Sequence, residues 1–338
     1  MKTICLLACC LIFLSMALHG QRARIIFYNT ENFFDNQDDT LVNDNEFMPD
    51  SSRFWTYDRF WKKVVRIYQV MSAADEWDMP VIAGFCEVEN RGVLEKLVYE
   101  TPLEKYNYRI IHKDSPDPRG IDVALIYRKD MFRPDTSEWI NVPVGEGYGT
   151  REILKVTGRL WEEVRVTIYI NHWPSRSGGA LSSEPKRIMA ASVLKASLDA
   201  LFAEEPGANV IIMGDFNDEP MDVSLKYLGK TGYNPDSVCQ TAIINLSEPH
   251  EMANQSGTIK YGGVWSIFDQ VLVSCSLING KNGLKIAGDK AEIFAAPFLL
   301  EPDPSYSGMR PRRTYLGPNY HDGFSDHLPV SVVVEEHY

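Results

Sequence analysis

Short apolar runs recur along the whole chain: Arg24 to Tyr28, Val81 to Phe85, Ile121 to Tyr127, Val164 to Ile170, Asn209 to Met213, Ile267 to Val273 and Leu328 to Val334. Their length and β-branched content predict strands rather than helices. Two segments show helical spacing instead. Tyr57 to Ala74 carries Phe60, Val64, Ile67 and Met71 on one face. Ser182 to Ala203 opens on cap-type serines with Pro185 in its first turn, and aligns Ile188, Ala191, Leu194, Leu198 and Leu201. Many strands with a few interspersed helices predict sheets packed together with helices outside. Asp35 to Asp50 holds several carboxylates and no Lys or Arg, which reads as a solvated loop. Neither a repeat nor a Pro/Gly/Ser linker divides the chain, so a single domain is expected over residues 21–338.

The beginning of the chain is set apart from this pattern. Lys2 precedes the apolar run Ile4 to Leu18, and His19-Gly20-Gln21 follows. This is the layout of a secretory signal peptide over residues 1–20, so export to a periplasmic or extracellular space is expected. The run is too short for a comfortable membrane span. Cys5, Cys9 and Cys10 fall within it, which leaves Cys86, Cys239 and Cys275. An odd number cannot all pair, and these three are expected to be packed thiols.

The 338 residues are 44% hydrophobic and 24% charged, with a formal net charge of −12. That composition excludes a disordered, collagen-like or coiled-coil chain. The acidic balance disfavours a protein that simply coats nucleic acid, which needs clustered Lys and Arg. It does not exclude an enzyme that holds one phosphate through a metal-filled acidic pocket.

Polar residues concentrate at the ends of the predicted strands. Asn29 and Glu31 follow the first run, Glu87 the second, and His172-Trp173-Pro174-Ser175-Arg176 the fourth. Asp215-Phe216-Asn217 follows Val210 to Gly214, Asp269 lies in the sixth run, and Ser325-Asp326-His327 precedes the last. Strand ends are where folds gather convergent chemistry. These residues meet the needs of metal-assisted phosphoryl hydrolysis. Asn29, Glu87 and Asp326 offer the oxygen ligands a hard divalent ion takes. His172 and His327 can move protons when a carboxylate orients them, and Asp122 and Asp269 are the candidates for that task. Asn217, Arg151 and Arg176 can meet the charge that builds on the phosphorane. HExxH, paired-cysteine zinc spacing, the phosphate loop GxxxxGK[ST] and the elbow GxSxG are all absent.

The order Asn29, Glu87, His172, Gly214-Asp215-Phe216-Asn217, Asp269, Ser325-Asp326-His327 resembles the endonuclease/exonuclease/phosphatase superfamily, over about Arg24 to Val334. The resemblance implies a DNase I-like four-layer α/β/β/α sandwich, two mostly antiparallel sheets packed face to face with helices outside. It also implies a divalent metal at the sheet ends. Carried over by position, Asn29, Glu87 and Asp326 match the metal-site residues. His327 matches the histidine beside the scissile phosphate, and Asp269 its orienting carboxylate. Asp215 and Asn217 match the pair that aligns water and stabilises the phosphorane. His172 matches a second catalytic histidine, which AP endonucleases replace by asparagine. Arg151-Glu152 resembles a phosphate-contacting strand. Gln270 stands where inositol 5-phosphatases show arginine, which weighs against that branch. The resemblance implies a monomeric, Mg²⁺- or Mn²⁺-dependent phosphodiesterase, with Ca²⁺ as a further option and nucleic acid as the leading substrate. A phosphatase, a sphingomyelinase-like lipid phosphodiesterase and a non-enzymatic phosphate-binding member are the alternatives.

Overall fold

The computed structural model describes residues 20–75, 78–145, 149–229, 242–249 and 257–337. The expected signal peptide, apart from Gly20, and Cys239 therefore lie outside the described residues. In chain order the strands are β1 (Arg22–Phe33), β2 (Ile82–Val88), β3 (Tyr108–His112), β4 (Asp122–Arg128), β5 (Phe132–Ile140) and β6 (Ile153–Leu160). Next come β7 (Val164–His172), β8 (Val210–Asp215), β9 (Ile243–Asn245), β10 (Ile259–Tyr261), β11 (Val264–Ser266) and β12 (Asp269–Ser274). The last are β13 (Leu284–Ile293), β14 (Leu300–Pro302), β15 (Met309–Pro311), β16 (Tyr315–Leu316), β17 (Asn319–Tyr320) and β18 (Val330–Glu336). The helices are α1 (Tyr57–Ala73), α2 (Arg91–Tyr99), α3 (Ala180–Glu204), α4 (Val223–Leu228) and α5 (Cys275–Asn279).

Among the described residues, two six-stranded sheets form, in the orders β13-β18-β1-β2-β4-β3 and β5-β6-β7-β8-β12-β9. Each contains one parallel pair, β1/β2 and β7/β8, and its other pairings are antiparallel. Three apolar layers hold the sandwich together. Phe60, Val64, Ile67 and Met71 of α1 and Leu94 and Leu97 of α2 cover Ile26, Ala83 and Ala124 on the outer face of the first sheet. Ile25, Ile82 and Val332 meet Val156, Ile168 and Met213 between the sheets. Ala191, Leu194 and Leu198 of α3 cover Tyr169, Ile212 and Leu272 on the second. The expected four-layer α/β/β/α sandwich is what the chain forms.

The polarity of the strands decides where chemistry can gather. In a parallel pair both C-terminal ends lie at one edge. Antiparallel neighbours bring their starts to that same edge, as Asp269 opposite Asp215 and Val330 opposite Phe27 show. Backbone irregularities sit at this edge too. The β1/β2 register shifts after Asn29 and the β2/β4 register shifts at Cys86/Val88. Glu87 takes φ 58° and Asn217 φ 52°, a left-handed backbone that non-glycine residues avoid unless their surroundings impose it. The bulge turns the Glu87 side chain out of the strand alternation.

Cys86 is a buried free thiol. Cys275 is disulfide-bonded, which corrects the expectation of a packed thiol there. The Asp35–Asp50 loop is less solvated than its composition suggests. Phe47 turns inward to stack on Phe34 at 4.2 Å, and Asp44 is buried. Among the described residues no helix is long and apolar enough to cross a membrane.

Candidate active site

The Asp215 carboxylate is the hub of the strand-end cluster. Its Oδ2 accepts a hydrogen bond from Asn29 Nδ2 at 3.0 Å. His172 Nε2 lies 3.8 Å from that oxygen and His327 Nε2 lies 3.9 Å from it. Its Oδ1 accepts the Asn217 N–H at 2.9 Å. Burial and the nearby carboxylates raise Asp215 to about 7, against the opposing charge of His327. Gly214 is what lets the two sheet strands come together here. A Cβ at that position would stand 2.5 Å from Asn171 Cβ and from Asn171 O.

The two histidines are electrostatically unlike. His327 Nδ1 pairs with Asp269 Oδ2 at 2.6 Å, and Asp269 is fully buried. Burial disfavours the charged ring, but Asp269, Asp215 and Asp326 outweigh it and hold the His327 pKa well above its usual value. His172 is pushed the other way by burial, and then by Arg151, Arg119 and His327. Its Nδ1 is buried without a hydrogen-bond partner. Asp122, expected to orient it, does not. Asp122 lies at the same sheet edge but on β4, next to β3, and its Oδ2 pairs with His112 Nε2 at 2.9 Å.

Glu87 Oε2 accepts the Asn32 N–H at 2.9 Å, and its Oε1 stands 4.0 Å from His172 Nε2. Asn29 holds its amide between the β1 backbone and the carboxylates. Its Oδ1 accepts the Glu31 N–H at 3.0 Å, while its Nδ2 faces Asp215 and Glu87. It braces the carboxylates. Ser325 Oγ donates to Asn29 O and accepts the His327 N–H, which ties the Ser325-Asp326-His327 turn to the end of β1. Asp326 Oδ2 pairs with Arg313 Nη2 at 2.6 Å.

The donor set fits a hard divalent cation. Glu87, Asp215, Asp269 and Asp326 crowd one edge, and the buried Asp269 Oδ1 has no hydrogen-bond partner. Glu87 and Asp326 would be the carboxylates to hold such an ion, the one or two that a Mg²⁺-type site ordinarily uses.

Two arginines expected at the substrate have other duties. Arg176 Nε donates to Asn217 O at 2.8 Å, and its Nη2 pairs with Asp218 and Asp222. It fixes the loop that carries Asn217. Arg151 is buried, with Nη1 on Asp117 at 2.8 Å and Nη2 on Trp173 O at 2.7 Å. Both are consumed by the scaffold, Arg151 because a buried guanidinium requires partners and Arg176, 30% exposed, through its two carboxylates. The arginines on the rim are Arg119 and Arg313, with side chains 52% and 36% exposed. Both lie within electrostatic reach of Glu87. Arg313 sits in the basic run near Arg310 and Arg312, a visible signal. Arg119 stands alone in a loop and carries none.

Glu31 was in the strand-end pattern without a role. It is buried and accepts the backbone N–H of Thr314 at 2.6 Å, while Lys63 of α1 donates to Thr314 Oγ1 and Phe324 O. Together they pin the loop that carries Arg313. Burial and Asp326 raise Glu31 to about 7, and burial lowers Lys63 to about 8.

Known proteins resemble this chain over most of its length. The model of the Endonuclease/Exonuclease/phosphatase family matches residues 24–336. No curated protein sequence matches significantly. Among solved structures, the human Nocturnin catalytic domain with bound sulfate superposes with a TM-score of 0.55 at 16% identity, covering 93% of this chain and 94% of that one. TDP2 of D. rerio, complexed with a single-strand DNA product, gives 0.55 at 13% identity, covering 93% and 99%. A mannosyl-6-phosphatase of Bacteroides thetaiotaomicron gives 0.52 at 14% identity, covering 92% and 99%.

Proposed function

Because the chain belongs to the endonuclease/exonuclease/phosphatase family, whose members hydrolyse phosphoester bonds with divalent metals, we propose that it is an exported phosphodiesterase acting on nucleic acid. The observation that carries the reading is the convergence of Asn29, His172 and His327 on Asp215 Oδ2. An acceptor carboxylate flanked by two imidazoles of opposite protonation can position a water, take its proton and supply one to the leaving oxygen.

When bound at Glu87 and Asp326, a divalent ion supplies Lewis-acid neutralisation of the phosphate oxygens. Asp215 accepts the proton of the attacking water. Asn217, held by the Asp215 and Arg176 bonds to its backbone, stabilises the phosphorane. His327, kept charged by Asp269, faces the developing negative charge and donates the proton. His172, kept neutral, serves as a hydrogen-bonding partner on the other side of Asp215. Export draws support from the signal-like amino-terminal pattern and from the disulfide at Cys275, since disulfides persist in oxidising compartments.

The test is hydrolysis of bis-p-nitrophenyl phosphate and p-nitrophenyl phosphate side by side, with Mg²⁺, Mn²⁺, Ca²⁺ or EDTA. Diester turnover that EDTA abolishes is expected, with His327→Ala reducing kcat by about 10²–10⁴. Turnover retained in that variant would remove His327 from the chemistry, and a monoester preference would make the enzyme a phosphatase.

A further inference from the structure

Two short hairpins are tied to the catalytic edge. In the first, β10 and β11 are joined by Gly262 and Gly263, with φ 57° and 84°, the positive values that the tightest hairpin turns require. Its base is bonded to the cluster itself. Ile259 bridges to His327, Thr258 O accepts the Leu328 N–H at 2.7 Å, and Thr258 Oγ1 accepts the Asp269 N–H at 3.1 Å. The second hairpin, β14 and β15, is clasped to the first. Lys260 Nζ pairs with Asp303 Oδ2 at 3.0 Å and donates to Ser307 O at 2.9 Å and Met309 O at 3.2 Å, which uses all of its N–H donors. Tyr306 packs on the glycine turn, where a Cβ on Gly263 would stand 2.7 Å from the Tyr306 Cδ1.

The tips of these hairpins are apolar and open. Tyr261 is 86% exposed, opposite Val264 at 67%, and Tyr306 beside them is 51% exposed. Large apolar groups gathered on the surface in this way mark a contact site. Between the hairpins lies a cavity of about 160 Å³, lined by Tyr261, Tyr306, Arg310, Arg313 and Asp326 among others. Asp326 precedes His327 in the catalytic turn, so the cavity that holds the tyrosines has a carboxylate of the catalytic edge in its own wall. Its arginines are already engaged. Arg310 Nε donates to Glu301 at 2.8 Å, and Arg313 Nη2 holds Asp326 at 2.6 Å. The tyrosine rings are the surfaces left to offer. The volume is below the roughly 300–1,000 Å³ of pockets that enclose a drug-sized ligand, and it suits a single ring.

We propose that the cavity between the two hairpins takes one nucleobase of the substrate, on one side of the scissile phosphate, stacked on Tyr306 and Tyr261. The inference rests on the phosphodiesterase reading and deepens it. Every base has a π-face, so stacking separates a nucleotide from a phosphoester without an aromatic ring and does not choose among bases. The Lys260 clasp holds the two tyrosine-bearing hairpins together before substrate arrives, which lowers the ordering cost of binding.

The dinucleotide TpT and its two analogues with an abasic residue, one on the 5′ side and one on the 3′ side, provide the test with Mg²⁺-loaded enzyme. One of the two analogues is expected to lose about tenfold or more in kcat/KM against TpT, the scale of one base stacked on an aromatic side chain. Tyr306→Ala and Tyr261→Ala should each shrink that ratio, and Tyr306→Phe, which keeps the ring, should retain it. Equal turnover of TpT and both analogues by the wild type, or a ratio that survives both alanine variants, overturns the stacking site. A ratio lost as fully in Tyr306→Phe as in Tyr306→Ala overturns it too, because the hydroxyl would then be the contact. Calorimetric binding of thymidine 5′- and 3′-monophosphate against 2-deoxyribose 5-phosphate separates this failure from that of the phosphodiesterase reading. A wild-type preference for a thymidine nucleotide that Tyr306→Ala abolishes upholds the site even if no dinucleotide is cleaved. Equal binding of the nucleotides and the sugar phosphate rejects it.

Discussion

Glu89→Gln should stabilise the protein increasingly as pH rises. Glu89 follows β2, is 5% exposed, and accepts the Asp35 N–H at 2.6 Å. Burial raises its pKa to about 8, and the neighbouring Asp35, Asp44 and Asp39 add to the rise against the Asp35 hydrogen bond. The acidic loop without Lys or Arg thus contributes directly to the cost of ionising it. The unfolded chain ionises near 4.5, so between about 4.5 and 8 the folded state binds the extra proton. Folding stability then falls with rising pH across that window and levels off above it. At about 1.4 kcal/mol per pH unit, the full window amounts to about 5 kcal/mol, an upper figure because a buried site relaxes. Glutamine keeps the acceptor for Asp35 and cannot ionise. Urea unfolding in EDTA at pH 5, 6, 7 and 8 should show the two proteins nearly equal at pH 5 and the variant ahead by several kcal/mol at pH 8. Taking the difference between the proteins cancels the titration of Glu31 and Asp215. A difference that does not change with pH would show that Glu89 ionises normally in the folded state.

Arg176→Ala should lower kcat about 10²-fold through displacement of Asn217 with little change in KM, and Arg176→Lys should recover part of it. A rise in KM at unchanged kcat would instead make Arg176 a substrate contact. Gly214→Ala forces a Cβ to 2.5 Å from Asn171. It should cost about 1–3 kcal/mol of stability, visible as a lowered thermal midpoint, and an unchanged midpoint would refute the packing argument.

The sandwich was readable because its central strands are buried on both faces. Ile25 to Phe27, Ile82 to Phe85 and Val210 to Met213 are continuous apolar runs, and each hands a polar residue to one edge. The outer strand β5 is not among the predicted runs because Arg133 to Glu138 is largely exposed and carries no apolar run. Asp215, Asp269 and His327 were legible for the same reason as the strands, since strand polarity fixes where their ends meet. Side-chain partnerships were not. Asp122 and His112 meet across β4 and β3, and nothing in the sequence distance between them indicates that His112 rather than His172 is within reach. The arginine assignments failed because a guanidinium can turn toward a substrate or into the scaffold, and loop paths decide which. Glu31 and Lys63 are joined only once the loop of Thr314 and Phe324 has docked against α1.

The first and last strands of the sandwich are neighbours: Arg22 pairs with Glu335 and Phe27 with Val330. Asp326 and His327 reach the catalytic edge only when β18 has docked beside β1. A chain still emerging from the ribosome therefore has Asn29, Glu87, His172 and Asp215 but cannot assemble the cluster. Nor can a fragment truncated a dozen residues early, however well its other strands fold. The arrangement ties assembly of the catalytic cluster to the docking of β18, so the site forms in one step when that strand pairs with β1.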